Sequence, residues 1–150
     1  MSHTLEIKIK SVDNNIKIPS YETNSSSGLD LRAYLPKGSI LINSKETKLV
    51  GTGLFIEIPE GFEIQIRPRS GLAFKNGISV LNSPGTIDAD YRGEIKILLI
   101  NHGNKSFKVE HEMRIAQMVV AKYERIQFKI VNKLSNSERG SDGFGSTGTQ

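Results

Sequence analysis

The sequence predicts an all-β domain, a sandwich, jelly roll or barrel, ending in a Gly/Ser-rich tail. Three observations carry this expectation. Apolar residues recur with a period of two in almost every ordered-looking stretch, which puts one face of a strand on a core and the other in water. Turn residues interrupt these stretches at short intervals. No helical pattern of ten or more residues is present, and Leu72-Ala73-Phe74-Lys75 is at most one helical turn.

The elements follow in order. Leu5, Ile7 and Ile9 alternate with Glu6, Lys8 and Lys10, and Ser27 to Ala33 is a strand-like run. Leu54, Ile56 and Ile58 form the next alternating set, and Phe62, Ile64 and Ile66 another. Ile95, Ile97 and Leu99 follow, then the shorter Phe107 and Val109. Arg114 to Tyr123 and Ile126 to Val131 are rich in β-branched and aromatic residues and also predict strands. Pro36-Lys37-Gly38, Pro59-Glu60-Gly61, Asn76-Gly77 and His102-Gly103-Asn104 mark turns. No internal repeat is visible.

At 150 residues the chain has the length of one domain. Composition shifts at Ser135: ten of the last sixteen residues are Gly, Ser or Thr, and Phe144 is the one apolar residue. The division expected is a β-domain over 1–134 and a flexible tail over 135–150. Such a tail cannot bury enough surface to offset its ordering entropy. It still offers a cation at Arg139, a ring at Phe144, hydroxyls at Ser146 and Thr147 and approachable backbone N–H groups, which suit a nucleotide once ordered.

Composition excludes several chemistries. With no cysteine there is no disulfide, thiol nucleophile or thiolate metal site. The three histidines lack metal-ligand spacing, and His102 and His111 read as surface residues. No phosphate-loop or dinucleotide fingerprint is found. The N-terminus has no apolar signal region and no run nears the roughly 18 apolar residues of a membrane span, so a soluble, cytoplasmic chain is expected. The formal charge of +4, from 20 basic and 16 acidic residues, suits a polyanionic partner without demanding one.

Four further stretches could carry chemistry, and each also has a plain structural reading. Asp30 lies within Ser27-Gly28-Leu29-Asp30-Leu31, where a carboxylate is disfavoured by strand propensity, unless it simply faces water. Arg67-Pro68-Arg69-Ser70-Gly71 offers a hydroxyl, arginines and open backbone N–H groups to a phosphate, or is an ordinary turn. Asn82 to Gly93 combines a rigid turn, Asp88 and Asp90 on one face, and Tyr91. Those carboxylates suit a general base or a cation, and the Asn82 amide can read a base edge, or the segment is a solvated loop. Arg114-Ile115-Ala116-Gln117 sets a glutamine in an apolar strand, where it needs partners or faces water at an edge.

Taken together and in order, these segments resemble the five motifs of the trimeric all-β dUTPases (deoxyuridine triphosphatases). The matching stretches are Ser27 to Leu31, Pro68 to Gly71, Gly85 to Gly93, Arg114 to Gln117 and Arg139 to Gly148. The third and fifth are long and specific; the second is short. Ser27 stands where Ala is common, and His111-Glu112 replaces a Gly-Asp-like turn. The related dCTP deaminases share the fold, but the complete Asp88-to-Tyr91 segment and the Phe144 tail favour the hydrolase. A single-strand nucleic-acid binder would want a basic, aromatic-rich sheet face; this chain has no Trp and 7% aromatics.

The resemblance implies a jelly-roll or distorted-barrel subunit and a homotrimer whose three active sites are each built from three chains. It implies hydrolysis of dUTP to dUMP and pyrophosphate with Mg2+ on the triphosphate, and no stable nucleic-acid or membrane partner. That activity limits uracil incorporation into DNA and supplies dUMP for thymidylate synthesis. Asp88 corresponds to the general base, and Tyr91 to the ring beneath deoxyribose. Asn82 and the hairpin backbone of Gly85, Thr86 and Ile87 correspond to the uracil-reading edge. Ser70, Gly71 and Gln117 correspond to phosphate contacts, Arg69 to a member of the same polar network, and Asp30 to a carboxylate near the waters of the metal. In the tail, Phe144 corresponds to a ring closing over uracil, Arg139, Ser146 and Thr147 to phosphate ligands, and Gly145 to a substrate-binding position.

Overall fold

The computed structural model describes residues 4–143. Its strands are β1 (Lys8–Ser11), β2 (Gly28–Arg32), β3 (Ile40–Ile42), β4 (Thr47–Glu57), β5 (Phe62–Arg67), β6 (Ile78–Val80), β7 (Gly85–Ile87), β8 (Glu94–Asn101), β9 (Phe107–Val109) and β10 (Arg114–Lys122), with one short helix, α1 (Ser70–Asn76). The fold is all-β and barrel-like. Two four-stranded antiparallel sheets, in the orders β1-β4-β8-β6 and β2-β10-β5-β7, are joined by the small β3-β9 ribbon.

The alternation read from the sequence is the alternation of burial. In β8, Ile95, Ile97 and Leu99 point inward and are almost fully buried. They share a single core with Leu54 and Ile56 of β4, Ile64 and Ile66 of β5, and Ile115, Ala116 and Met118 of β10. Each such Ile or Leu contributes about 1.5–3 kcal/mol by leaving water, and the β-branched ones suit the pleat.

The outlines differ from expectation where strands are short or turns double as caps. β3, β6 and β7 have three residues each, too few for a visible period. The first strand starts at Lys8 rather than Leu5. Asn76-Gly77 closes α1 instead of joining two strands: Gly77 has φ 67°, and its N–H returns to the carbonyls of the last turn. His111 is exposed, as expected, and it also has structural partners: its Nδ1 accepts the Leu35 N–H at 2.9 Å and its ring meets Tyr34 edge-on. Beside it Glu112 takes the left-handed conformation, φ 62°, that a glycine would adopt at no cost.

One expected strand is absent. Residues 126–131 form no strand, and Ile126, Phe128 and Ile130 are 74%, 86% and 97% exposed. Their period of two is real, but among the described residues no strand pairs with them.

Candidate active site

Strand register builds the first part of the site. In the second sheet Asp30 of β2 lies opposite Gln117 of β10, and Gln117 lies opposite Arg67 of β5. Asp30 and Gln117, 87 residues apart in sequence, therefore end in one row. The Asp30 carboxylate accepts Arg69 Nε at 2.9 Å on one oxygen and Arg114 Nη1 at 3.2 Å on the other. Its side chain is only 18% exposed, so two guanidiniums offset its desolvation. Arg69 Nη1 also donates to the Arg114 carbonyl, and Gln117 Nε2 donates to the Pro68 carbonyl at 2.9 Å. The glutamine expected to need partners has one, and it ties β10 to the segment entering α1.

Ser70 and Gly71 open α1 beside this row. Arg69 precedes the helix in an extended conformation and gives it no side-chain cap, so the first-turn N–H groups face outward. A Cβ on Gly71 would meet nothing within 4 Å; the space beside Ser70 is open.

The second part sits on the sheet edge. β7 pairs with β5 through Gly85 opposite Ile66 and Ile87 opposite Ile64. Thr86 points outward between them and Ile87 inward. Asn82 is exposed at the start of this hairpin; a Cβ on Gly85 would press within 3.3 Å of its amide nitrogen. Asp88 leaves β7 at its far end, three residues past Gly85 and so about 10 Å along the strand. Tyr91 follows on a turn closed by its own N–H to the Asp88 carbonyl at 3.1 Å. The tyrosine hydroxyl donates to the Glu94 carbonyl at 3.0 Å. Its ring crosses Gly93, where a Cβ would collide with the hydroxyl. Asp88, Tyr91, Thr86 and Glu94 border one hollow of about 300 Å³.

The site residues thus fall into two groups. Asp30, Arg69 and Gln117, with Ser70 and Gly71 next to them, lie along one row; Asp88 and Tyr91 lie on a turn at the other end of β7. Asn82 and Gly85 begin that strand near the row. Arg139 joins neither, for its Nε donates to the Asp142 carbonyl within its own turn. Phe144, Gly145, Ser146 and Thr147 lie outside the described residues. The structure adds Arg114 to the row, a residue the sequence placed in a motif without a role. A signal was there: an arginine three residues from Gln117 on a strand whose partner carries Asp30.

The donor set fits magnesium only indirectly. Among the described residues no three His, Asp or Glu side chains converge on one point. Asp30 spends one acceptor site of each oxygen on an arginine, and a carboxylate has about four. It retains acceptors for a cation's water shell, which suits magnesium because that ion keeps several waters and binds chiefly through phosphates.

The fold and these two clusters define an all-β subunit with an arginine–carboxylate row and a carboxylate–tyrosine turn. The dUTPase family model matches residues 14–148. The chain belongs to the dUTPase family. It is 57% identical over 144 residues to a deoxyuridine 5'-triphosphate nucleotidohydrolase of Rickettsia bellii, covering 95% of each chain. With that of Nautilia profundicola it shares 53% over 144 residues, 96% of this chain and 99% of the relative. Among solved structures it is similar to the Staphylococcus bacteriophage 80alpha dUTPase with dUPNHPP (TM-score 0.86, 25% identity, 97% and 100% covered). It also resembles in fold a mutant dUTPase of phage phi11 of S. aureus that coordinates a structural Mg(II) ion (TM-score 0.75, 18% identity, 85% and 97% covered). Among the described residues no helix is long and apolar enough to cross a membrane.

Proposed function

We propose that this chain hydrolyses dUTP to dUMP and pyrophosphate, with Asp88 as the general base. The observation that carries the reading is the Asp88–Tyr91 turn, an exposed carboxylate and an anchored ring bordering one hollow. Asp88 takes a proton from water as its oxygen attacks the α-phosphorus; the bond to the bridging oxygen breaks and pyrophosphate leaves. Arg69, the Ser70 hydroxyl, the open N–H groups of Ser70 and Gly71, and Gln117 hold the phosphates and meet charge developing on them. Asp30 orients the arginines and would hold a magnesium ion through its waters; that ion, when bound, would supply charge neutralisation at the phosphates. Tyr91 stacks under deoxyribose and refuses a 2′-hydroxyl. Asn82 with the backbone of Gly85, Thr86 and Ile87 reads the uracil edge, and cytosine is rejected because it leaves buried groups unpaired. In the cell this activity limits uracil in DNA and supplies dUMP for thymidylate synthesis.

The complete site is shared between copies in a homotrimer. Two observations support this. The row and the turn are separated along β7, so one chain does not close them around one substrate. The exposed apolar residues Ile126, Phe128, Ile130 and Leu134 form an alternating stretch that no strand among the described residues pairs with, and a second copy supplies one. The tail over 135–150 orders on substrate, bringing Arg139, Phe144, Gly145, Ser146 and Thr147 to the phosphates and the base.

The reading is tested by incubating the protein with dUTP, dCTP, dTTP or UTP and magnesium, measuring pyrophosphate and ammonia separately. Pyrophosphate from dUTP, with the other three at least about 100-fold slower, is the expected result. Ammonia from dCTP would make the chain a deaminase. Salt-dependent oligonucleotide binding without hydrolysis would make it a nucleic-acid binder.

A further inference from the structure

Strand β4 loses its register with β8 between Gly51 and Phe55. Within this bulge Gly53 turns to φ 68°, and side chains replace the missing ladder bonds. The Thr52 hydroxyl donates to the Ile95 carbonyl at 2.7 Å, and the Gly53 N–H donates to Glu94 Oε1 at 2.9 Å. Gly51 makes room for that carboxylate, because a Cβ there would stand 2.5 Å from Oε1. The second Glu94 oxygen lies 3.8 Å from Lys96 Nζ.

Glu94 is also where the Tyr91 turn is anchored. Its carbonyl accepts the tyrosine hydroxyl, and Tyr91 in turn holds the Asp88 carbonyl through its own N–H. One residue thus joins a bulge of β4 to the turn that carries Asp88 and Tyr91.

We propose that Glu94 is a positioning residue: by clasping the β4 bulge, its carboxylate fixes the carbonyl on which Tyr91 rests, and so sets how strictly the site refuses a 2′-hydroxyl. The inference rests on the reading of Tyr91 as the sugar-facing ring. A bulge held only for stability would leave discrimination unchanged once the protein is folded. A clasp that holds Tyr91 makes discrimination depend on it, because displacement of about 1 Å at a reacting site can cost about 100-fold.

The test measures kcat and KM for dUTP and UTP, with thermal melts, on the full-length protein and four variants. Glu94→Ala is expected to lower the dUTP-over-UTP ratio of kcat/KM by about 10-fold, largely through KM. Glu94→Gln, which keeps an oxygen for the Gly53 N–H, should restore most of the ratio. Gly51→Ala, which leaves Glu94 in place but displaces its carboxylate, should move the ratio as Glu94→Ala does and serves if that variant fails to fold. Tyr91→Ala locates the reading itself. A lost ratio in Tyr91→Ala beside an unchanged ratio in folded Glu94→Ala or Gly51→Ala overturns the proposal alone. An unchanged ratio in Tyr91→Ala overturns the proposal together with the reading beneath it.

Discussion

The Asp30 row and the Asp88 turn belong to the same sheet, yet they are held by different physics. The row is a charge cluster: one half-buried carboxylate between two arginines, the exposed Glu22 carboxylate 3.7 Å from Arg114 at its edge, and strands locked in register on both sides. The turn is held by backbone and dipoles: a Tyr91 hydroxyl on a carbonyl, and an Arg92 guanidinium on the carbonyls of Ala89 and Tyr91. Among the described residues Asp88 has no ion-pair partner within 4.0 Å. A phosphate-binding half gains from cations fixed before substrate arrives. A base needs a carboxylate whose acceptor sites are not taken by arginine, or it would lose proton affinity.

The comparison breaks most directly at Asp88. Asp88→Asn keeps the shape of the turn and removes the proton acceptor. Turnover should fall by roughly 100- to 10,000-fold, while a non-hydrolysable dUTP analogue still binds in calorimetry. Hydrolysis at the wild-type rate would remove Asp88 from the mechanism. Loss of analogue binding would show that it holds substrate instead.

Removal of residues 136–150 comes next. If the row and the turn need a cover to exclude water and tighten phosphate contacts, turnover should drop by about 100-fold. The melting temperature should stay put, since Ser135 to Gly143 are almost wholly exposed. A truncated protein with full activity would mean that the two clusters work without a cover.

How much of this was legible in the sequence depended on what each residue answers to. Burial in β8 follows from Ile95, Ile97 and Leu99 alone, because a strand has only two faces. Asp88 and Tyr91 stand within one short segment, so their meeting could be read locally. The Asp30–Arg69–Arg114 cluster could not be read that way, since it depends on β2, β5 and β10 being neighbours, and their order is a property of the whole sheet. Glu94 was hidden for a related reason: its partner Gly53 is reached only because β4 bulges, and no local pattern announces the bulge. Ile126 to Val131 misled in the opposite direction. Their pattern is that of a strand, but a strand also requires a neighbour, and among the described residues there is none.

The smallest effect sharpens the claim that the row is preformed rather than merely crowded. Asp30→Asn would leave Arg69 and Arg114 with one weaker acceptor between them, and only the exposed Glu22, 3.7 Å from Arg114, as a remaining carboxylate. A hydrogen bond to a charged group is worth about 1.5–3 kcal/mol, and partial exposure reduces it. The expected loss is about 1–2 kcal/mol, or a fall in Tm of roughly 2–8 °C. The control is the Lys8–Glu57 pair on β1 and β4, whose atoms approach to 2.8 Å, closer than either contact of Asp30. Its mutual hydrogen bond and charge raise the Lys8 amine above its ordinary range and hold the Glu57 carboxyl below its own. The stability linked to the Glu57 shift is present at neutral pH and is lost as pH falls through its lowered value. Both groups are open to solvent, however, and water and salt screen them. Lys8→Ala should therefore leave the melt at pH 7 unchanged within error. If Asp30→Asn also leaves it unchanged, burial has added nothing to the row, and the arginines there are only neighbours of a carboxylate. If Asp30→Asn lowers the melt while Lys8→Ala does not, the distinction lies in desolvation rather than distance, since the pair in closer contact is the one that does not matter.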